Sequence, residues 1–332
     1  MKIIFSEASG LNDSVYGKCQ APIRMFLEKR GEDFEKNSML KSLFLMDTSK
    51  NFADLMTTMT AMSGFEPVGE NGAYPLDGMQ EGYQKLLTYQ TWKDSFSVSK
   101  EMMEDGKLMD MRKQPAAFMT SYQRTRELFG AALYGAAMKG ESSVTFKDVK
   151  FDLKTADGSN LFATNHAPKV SGAKQCNLFK DAFSADALGK MESAMHLFRG
   201  DNDEILDVAP DTILIPENAD LKKTVFAAIG ADKEPTTANN AFNYQYGRWN
   251  VIIWPYLNKY LTAGTSPWVL LDSKYNETYG GAVWRDRIKL EVRSTIDDNT
   301  DANVWRGRSR FNACFNDWRF AAIGGVSSGN EL

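Results

Sequence analysis

Two strand-length segments, 285–293 and 306–315, constrain this chain most, because the side chains of a β-strand alternate between two faces. In the first, Arg285, Arg287, Lys289 and Arg293 fall on one side and Ile288, Leu290 and Val292 on the other. In the second, Arg306, Arg308 and Arg310 oppose Phe311, Ala313 and Phe315. Between them Asp297, Asp298, Asn299, Thr300 and Asp301 supply turn chemistry. The pattern predicts a long β-ribbon with one apolar face and one face that carries those seven cations, with Glu291 as its only acid. The whole chain has a formal net charge of -4, so this face stands out as either a solvated exterior or a contact surface for something negative.

At 332 residues the chain is longer than one compact core needs, which favours two lobes or a domain with long extensions. A hydrophobic content of 43% supports a core, and no apolar run approaches the roughly 18 residues that mark a membrane span, so no membrane partner is expected. Met1 to Phe5 is too short an apolar stretch for a secretory signal, and folding in a cytoplasm is expected. Cys19, Cys176 and Cys314 are odd in number and far apart, which points to reduced thiols rather than disulfides or a structural zinc.

The first 47 residues read as an extended arm without a core of its own, with Ser9, Gly10, Asn12, Asp13 and Ser14 ahead of a charged cluster from Glu28 to Lys36. From Ser49, Phe52, Leu55, Met56 and Met59 recur at helical spacing and predict a short helix. Gly64, Pro67, Gly69, Gly72, Pro75, Gly78 and Gly82 then mark turns, and Leu86 to Val98 is strand-like with Trp92, Phe96 and Val98 on one side, so the segment reads as a long two-stranded excursion. An isolated hairpin is marginal in water, hence this one should lie on something else, such as another subunit. Pro115 suits a first helical turn, and Phe118, Tyr122, Thr125, Phe129, Ala132 and Ala136 form a narrow helical stripe ended by Gly140, with Arg124, Arg126 and Glu127 off it. Further helices are expected at 182–198 and 220–229, and buried strands at 212–215, 251–254 and 268–271. Without regular βαβ alternation the class is α+β.

Chemistry is sparse. His166 follows Thr164 and Asn165 in a loop and His196 lies in a helical pattern; for both, a structural role outweighs catalysis, and neither has a metal partner at sensible spacing. There is no nucleophile elbow, phosphate-binding glycine loop or dinucleotide fingerprint, and Gly324 and Gly325 read as a flexible terminus. No cofactor, metal or catalytic residue is assigned. A pI below neutrality argues against a sequence-reading nucleic-acid binder, so the ribbon's cations are better read as a solvated face, or one salt-bridged between subunits, than as a phosphate site.

The segments Asn160 to His166, Ala209 to Pro216, Trp249 to Leu257, Trp268 to Asp272 and Arg306 to Gly325, in this order, resemble the phage Mu-like major head subunit family. That family belongs to the tailed-bacteriophage capsid proteins of the Hong Kong 97-type fold, and the resemblance covers roughly 50–325. It implies an N-terminal arm over 1–47 and a short helix with an extended hairpin loop over 48–100. A peripheral domain with a spine helix would take 101–175 and 285–315, and an axial domain 176–284 and 316–332. By the same resemblance the chain is a major capsid protein: copies form pentamers and hexamers that close an icosahedral or prolate shell around packaged double-stranded DNA, which the shell contacts non-specifically. The chain shows no protease or scaffold region of its own, so a separate scaffold and portal are expected, with assembly in the host bacterial cytoplasm and residence in the virion. The residues expected at inter-subunit contacts are Arg285, Arg287, Lys289, Arg293, Arg306, Arg308, Arg310, Asp297, Asp298, Asp301 and Trp92. The competing readings are a cytoplasmic enzyme with a cleft near His166 and a minor virion structural protein.

Overall fold

A computed structural model describes residues 4–6, 15–59, 65, 67–70, 72–74, 76, 81–105, 108–170, 172–231, 242–262 and 264–332. The chain begins with β1 (Ile4–Ser6), α1 (Val15–Asn37), α2 (Leu40–Leu43) and β2 (Leu45–Thr48). The expected extended arm is therefore helical over most of its length; Ser9, Gly10, Asn12, Asp13 and Ser14 lie outside the described residues. Ile23 and Leu27, one turn apart on α1, are buried with Phe118, Met119, Leu290, Val292 and Trp305. That contact gives α1 the core its own charged sequence lacks.

Next come β3 (Ala53–Met59), β4 (Glu81–Thr88) and β5 (Gln90–Val98). The helix expected from Ser49 is a strand instead. Asp54 and Met56 are buried while Leu55 between them is exposed, an alternation with period two that pairing with β4 imposes. Of the expected glycine-rich turns, Gly69 and Gly72 form one, the Gly72 N–H donating to the Gly69 carbonyl at 2.8 Å, whereas Gly64, Pro75 and Gly78 lie outside the described residues.

After α3 (Lys100–Glu104), the 31-residue α4 (Leu108–Met138) is the predicted spine, and Pro115 lies inside it rather than at its first turn. The stripe holds: Phe118, Phe129, Ala132 and Ala136 are buried, with Tyr122 and Thr125 half-buried. The hairpin of β6 (Ser143–Phe146) and β7 (Val149–Asp152) turns on Lys147 and Asp148, both left-handed with φ of 48 and 65°, as a two-residue hairpin requires.

The remainder runs α5 (Ala185–His196), β8 (Thr212–Ile215), α6 (Ala219–Ile229), β9 (Asn250–Ile253), a 3-10 turn at Pro255–Lys259, β10 (Trp268–Leu271), α7 (Ser273–Tyr279), β11 (Ala282–Ile296), β12 (Asn303–Phe315) and β13 (Ala321–Gly324). Ser184, Asn218 and Asp272 cap α5, α6 and α7 through their side-chain oxygens, which fixes where these helices start.

Two larger sheets organise the molecule. In one, β1, β11, β12 and β5 are neighbours in that order and β2 pairs in parallel with the start of β11; in the other the order is β13, β10, β8, β9. Helix α4 covers one face of the first sheet, where Phe129 packs on Trp284 and Phe311 at centroid distances of 5.6 and 6.1 Å. The end of the chain is not a flexible tail. Gly324 pairs with Trp268, and a Cβ there would lie 2.5 Å from the indole, so a glycine is needed for β13 to close on β10.

Candidate functional site

The ribbon forms as β11 and β12, antiparallel from Ala282 opposite Phe315 to Ile296 opposite Asn303. Two register shifts interrupt it, one between Asp286 and Ile288 and one between Ile288 and Glu291, each adding a residue to β11. The single seven-cation face expected from strict alternation is therefore broken. Arg287 is the extra residue of the first bulge, Lys289 falls within the second, and Arg310 stands opposite Ile288 rather than beside another cation.

Beyond the bulges the register is regular, and a smaller basic shelf survives. Arg308 lies between Glu291 and Lys93, and Arg306 lies between Arg293 and Ser95, on three adjacent strands. Lys93 was not singled out in the sequence, although the inward set Trp92, Phe96 and Val98 leaves it on the outer face of β5. These side chains line an open cleft of about 620 Å³ together with Asp94 and Gly307. Lys93, Arg306 and Arg308 are exposed and have no acidic partner among the described residues within ion-pair distance. Arg293 and Arg306 stand directly opposite, which places like charges side by side at a cost to the pairing.

The base of the same sheet face is neutralised inside the chain. Arg285 meets Asp54 at 2.9 Å and Asp47 at 3.7 Å. Asp54 also accepts hydrogen bonds from Ser49 and Asn51, each at 2.9 Å, and from the hydroxyl of Tyr89. Burial opposes the charge on Asp54, but the bonds from Tyr89, Asn51, Arg285 and Ser49 outweigh it and hold this carboxyl well below the usual range. Burial, with Asp54 adding to it, leaves the Tyr89 hydroxyl pushed up to about 12. Just beyond this cluster Met56 and Leu87 of the β3–β4 hairpin pack on Val283 and Cys314. The hairpin thus roofs one end of the sheet face and leaves the cationic end open.

On the opposite face Arg126, which the helical stripe did not include, forms a two-pronged pair with Asp286 at 2.8 and 3.1 Å and lies over the rings of Trp284 and Phe311 at 4.8 and 5.0 Å. Burial alone would lower its pKa; Tyr122 and Asp286 raise it above its usual value. This pair ties the spine helix to the ribbon.

Of the expected acidic contacts, Asp301 pairs with Lys100 of its own chain at 3.6 Å, Asp297 accepts the Thr300 hydroxyl at 2.9 Å, and Asp298 is exposed. Trp92 is half-buried in its own chain, stacked on Phe311 at 5.1 Å. His166 is 1% exposed, with Asp157 at 2.8 Å, Asn177 at 3.1 Å and the Trp318 ring stacked at 4.2 Å. No substrate reaches such a ring, which removes the cleft that an enzymatic reading required. His196 is at the surface beside Asp207, 2.8 Å away. Among the described residues no cluster of side chains could hold a metal ion.

The profile of the family described as phage capsid protein matches residues 83–324. The fold resembles that of the capsid of Ralstonia phage GP4, with a TM-score of 0.51 and 11% identity over 86% of this chain and 90% of that one. It also resembles a chain from Mycobacterium phage Patience, with a TM-score of 0.50 and 12% identity over 100% of this chain and 94% of that one. No curated protein matches the sequence.

Proposed function

Because the chain belongs to the phage capsid protein family and is a subunit that builds the shell, we propose that the tip of its ribbon joins neighbouring copies through the basic shelf. The α+β fold is the Hong Kong 97-type fold of solved phage capsid chains, and the role is structural. The finer reading is of a Mu-like head subunit whose pentamers and hexamers close around double-stranded DNA. A separate scaffold and portal would take part, in the host cytoplasm, and contact with the packaged DNA would be non-specific.

The observation that supports a contact role is the contrast along one sheet face. At the base Arg285 is matched by Asp54 and Asp47, while at the tip Lys93, Arg306 and Arg308 have no acid among the described residues within ion-pair distance. Acidic side chains of adjacent copies fit this shelf, Asp298 of the ribbon's own tip being one. Arg287, Lys289 and Arg310 belong to the proposed contact only as its margin, since the bulges remove them from the regular array. A single exposed pair contributes about 0 to 1 kcal/mol, so the contact acts through repetition around the shell.

The test is R306E/R308E. Both side chains are exposed, so the purified variant should unfold at the wild-type temperature yet fail to form shells or capsomers in sedimentation and negative-stain imaging. A wild-type yield of shells would sink the proposal.

A further inference from the structure

The chain passes between the two larger sheets three times: from β5 to β8, from β10 to β11 and from β12 to β13. His166 lies in the first passage, and its ring stacks at 4.2 Å on that of Trp318 in the third. We infer that His166 is held in the folded chain as a buried imidazolium donating from both ring nitrogens, and that this charge clasps the first passage to the third.

The hydrogen bonds give the ring an acceptor at each nitrogen. Asn177, fully buried, donates through its amide to the carbonyls of Leu161 and Ala321 at 2.9 and 3.0 Å, and its Oδ1 accepts the Ala163 N–H at 2.9 Å. Turning that amide round would set its oxygen against both carbonyls, so the atom 3.1 Å from His166 Nε2 is the oxygen. On the other side, Nδ1 lies 2.8 Å from Oδ2 of Asp157. Burial opposes the charge on Asp157, but the bonds from His166, the Thr155 hydroxyl and the Ser159 N–H outweigh it and hold this carboxyl below its usual range. A neutral imidazole carries one hydrogen and would turn a lone pair on one of these two oxygens. The imidazolium carries two and satisfies both.

The surrounding charges favour the same state. Arg319, whose guanidinium lies over the Trp318 ring at 5.1 Å, is divided between Asp201 at 2.9 Å and Asp317 at 3.3 Å. Asp201 also accepts the backbone N–H of Lys169 at 3.3 Å, and Asp317 accepts the hydroxyl of Tyr275 at 2.9 Å. The Lys169 ammonium donates to the Gly82 carbonyl at 2.6 Å, and Arg199 pairs with Asp203 at 3.0 Å. Burial, with Asp201 and Asp157, raises the pKa of Tyr83, and burial with Asp317 raises that of Tyr275, so both phenols are neutral. Among the described residues, Asp157 therefore has the imidazole alone as its ion-pair partner. A cation stacked on an indole face gains from the ring quadrupole as well.

The same residues tie the passages together. Asn177 reaches Ala321 where β13 begins. The Ala156 N–H donates to the Asn316 carbonyl at 2.9 Å, and the Asn316 N–H donates to the carbonyl of Gly281, just ahead of β11, at 2.6 Å. A ring that loses one hydrogen leaves Asp157 or Asn177 facing a bare lone pair in a buried site. The clasp is complete while the ring is protonated and slackens as pH rises. It slackens at the acid end too, as pH falls from the ordinary carboxylate value of about 3.9 through the lower folded value of Asp157.

The test uses the full chain labelled with 15N-histidine, whose only two imidazoles are His166 and the surface residue His196. At a pH about one unit above the ordinary imidazole value of about 6.5, nitrogen NMR should show a bound hydrogen on both nitrogens of His166. A hydrogen on one nitrogen only overturns the charge assignment. In D157N the new amide supplies a donor to Nδ1, and His166 should keep its hydrogen on Nε2 alone; two hydrogens persisting there overturn the role of Asp157. Hydrogen exchange at the same pH reads the clasp. The amides of Ala156, Ala163 and Ile323 should exchange at least about tenfold faster in H166Q than in wild type, with the amides of the β11–β12 pairing and the control H196Q unchanged. D157N gives the same exchange reading should H166Q fail to fold. Unchanged exchange overturns the clasp, as does an equal rise throughout the chain, which would mark a packing role alone.

Discussion

Replacing Arg126 by Met should destabilise the subunit by about 3–5 kcal/mol, because it leaves Asp286 buried without its counter-charge. The magnitude follows from the contacts. Arg126 and Asp286 have side chains only 7 and 13% exposed and share two hydrogen bonds. After removal the carboxylate keeps one donor among the described side chains, the indole N–H of Trp284 at 3.2 Å. The guanidinium also leaves the rings of Trp284 and Phe311, contacts worth about 0.5–2 kcal/mol when desolvated. The thioether fills much of the vacated volume, so the cavity contribution is small. D286N should cost less than R126M, since Tyr122 still accepts from the guanidinium at 3.2 Å. The double variant should then be at least about 2 kcal/mol more stable than the sum of the single losses predicts, because a buried pair replaced on both sides leaves nothing uncompensated. Guanidinium unfolding of the unassembled subunit, followed by tryptophan fluorescence, measures all three. A loss below about 1 kcal/mol for R126M, or additive behaviour of the pair, would refute the claim that this ion pair fastens spine to ribbon.

Two further outcomes are expected. At Gly307 a Cβ would stand 2.3 Å from Phe118 Cζ and 3.3 Å from Leu290; G307A should therefore cost about 1–3 kcal/mol by overpacking, and F118L should recover part of it in the same unfolding assay. Asp54 has a folded-state pKa below its unfolded value of about 3.9, so its contribution is present above that pH and is lost as pH falls through the folded pKa. D54N should thus be less stable than wild type at pH 7 by about 1.5–3 kcal/mol, with a gap that narrows on acidification below about pH 4, and a gap independent of pH would contradict the assignment.

The alternation of 285–315 made the ribbon and its apolar face visible in the sequence, and the spine stripe from Phe118 to Ala136 was equally plain, because both depend on local periodicity. What stayed hidden depends on pairing. An inserted residue in β11 changes no local propensity, yet it moves Arg310 opposite Ile288 and divides the cationic face. Phe52, Leu55, Met56 and Met59 satisfy helical spacing, and only pairing with β4, Leu55 opposite Leu86, makes the last three part of a strand. Arg126 looked like a surface residue off the stripe, since its partner Asp286 lies 160 positions away. Lys93 was within reach: once Trp92 and Phe96 are placed inward, period two puts it on the outer face. The arm misled because the surface on which Ile23 and Leu27 pack belongs to the ribbon and the spine, far away in sequence.

The net charge of -4 is a poor guide to this subunit because its charges are sorted by position. Buried or half-buried arginines take up acids locally: Arg126 takes Asp286, Arg285 takes Asp54, and Arg319 takes Asp201 and Asp317. Eight residues of β11 separate Arg285 from Arg293, which at about 3.3 Å per residue is more than 20 Å even with two bulges. Screening falls off over about 8 Å at physiological ionic strength. The acids at the ribbon's base therefore do nothing for the cations at its tip, and an acidic protein presents a basic shelf to whatever approaches that end. The shelf's attraction for an acidic partner therefore weakens as ionic strength rises.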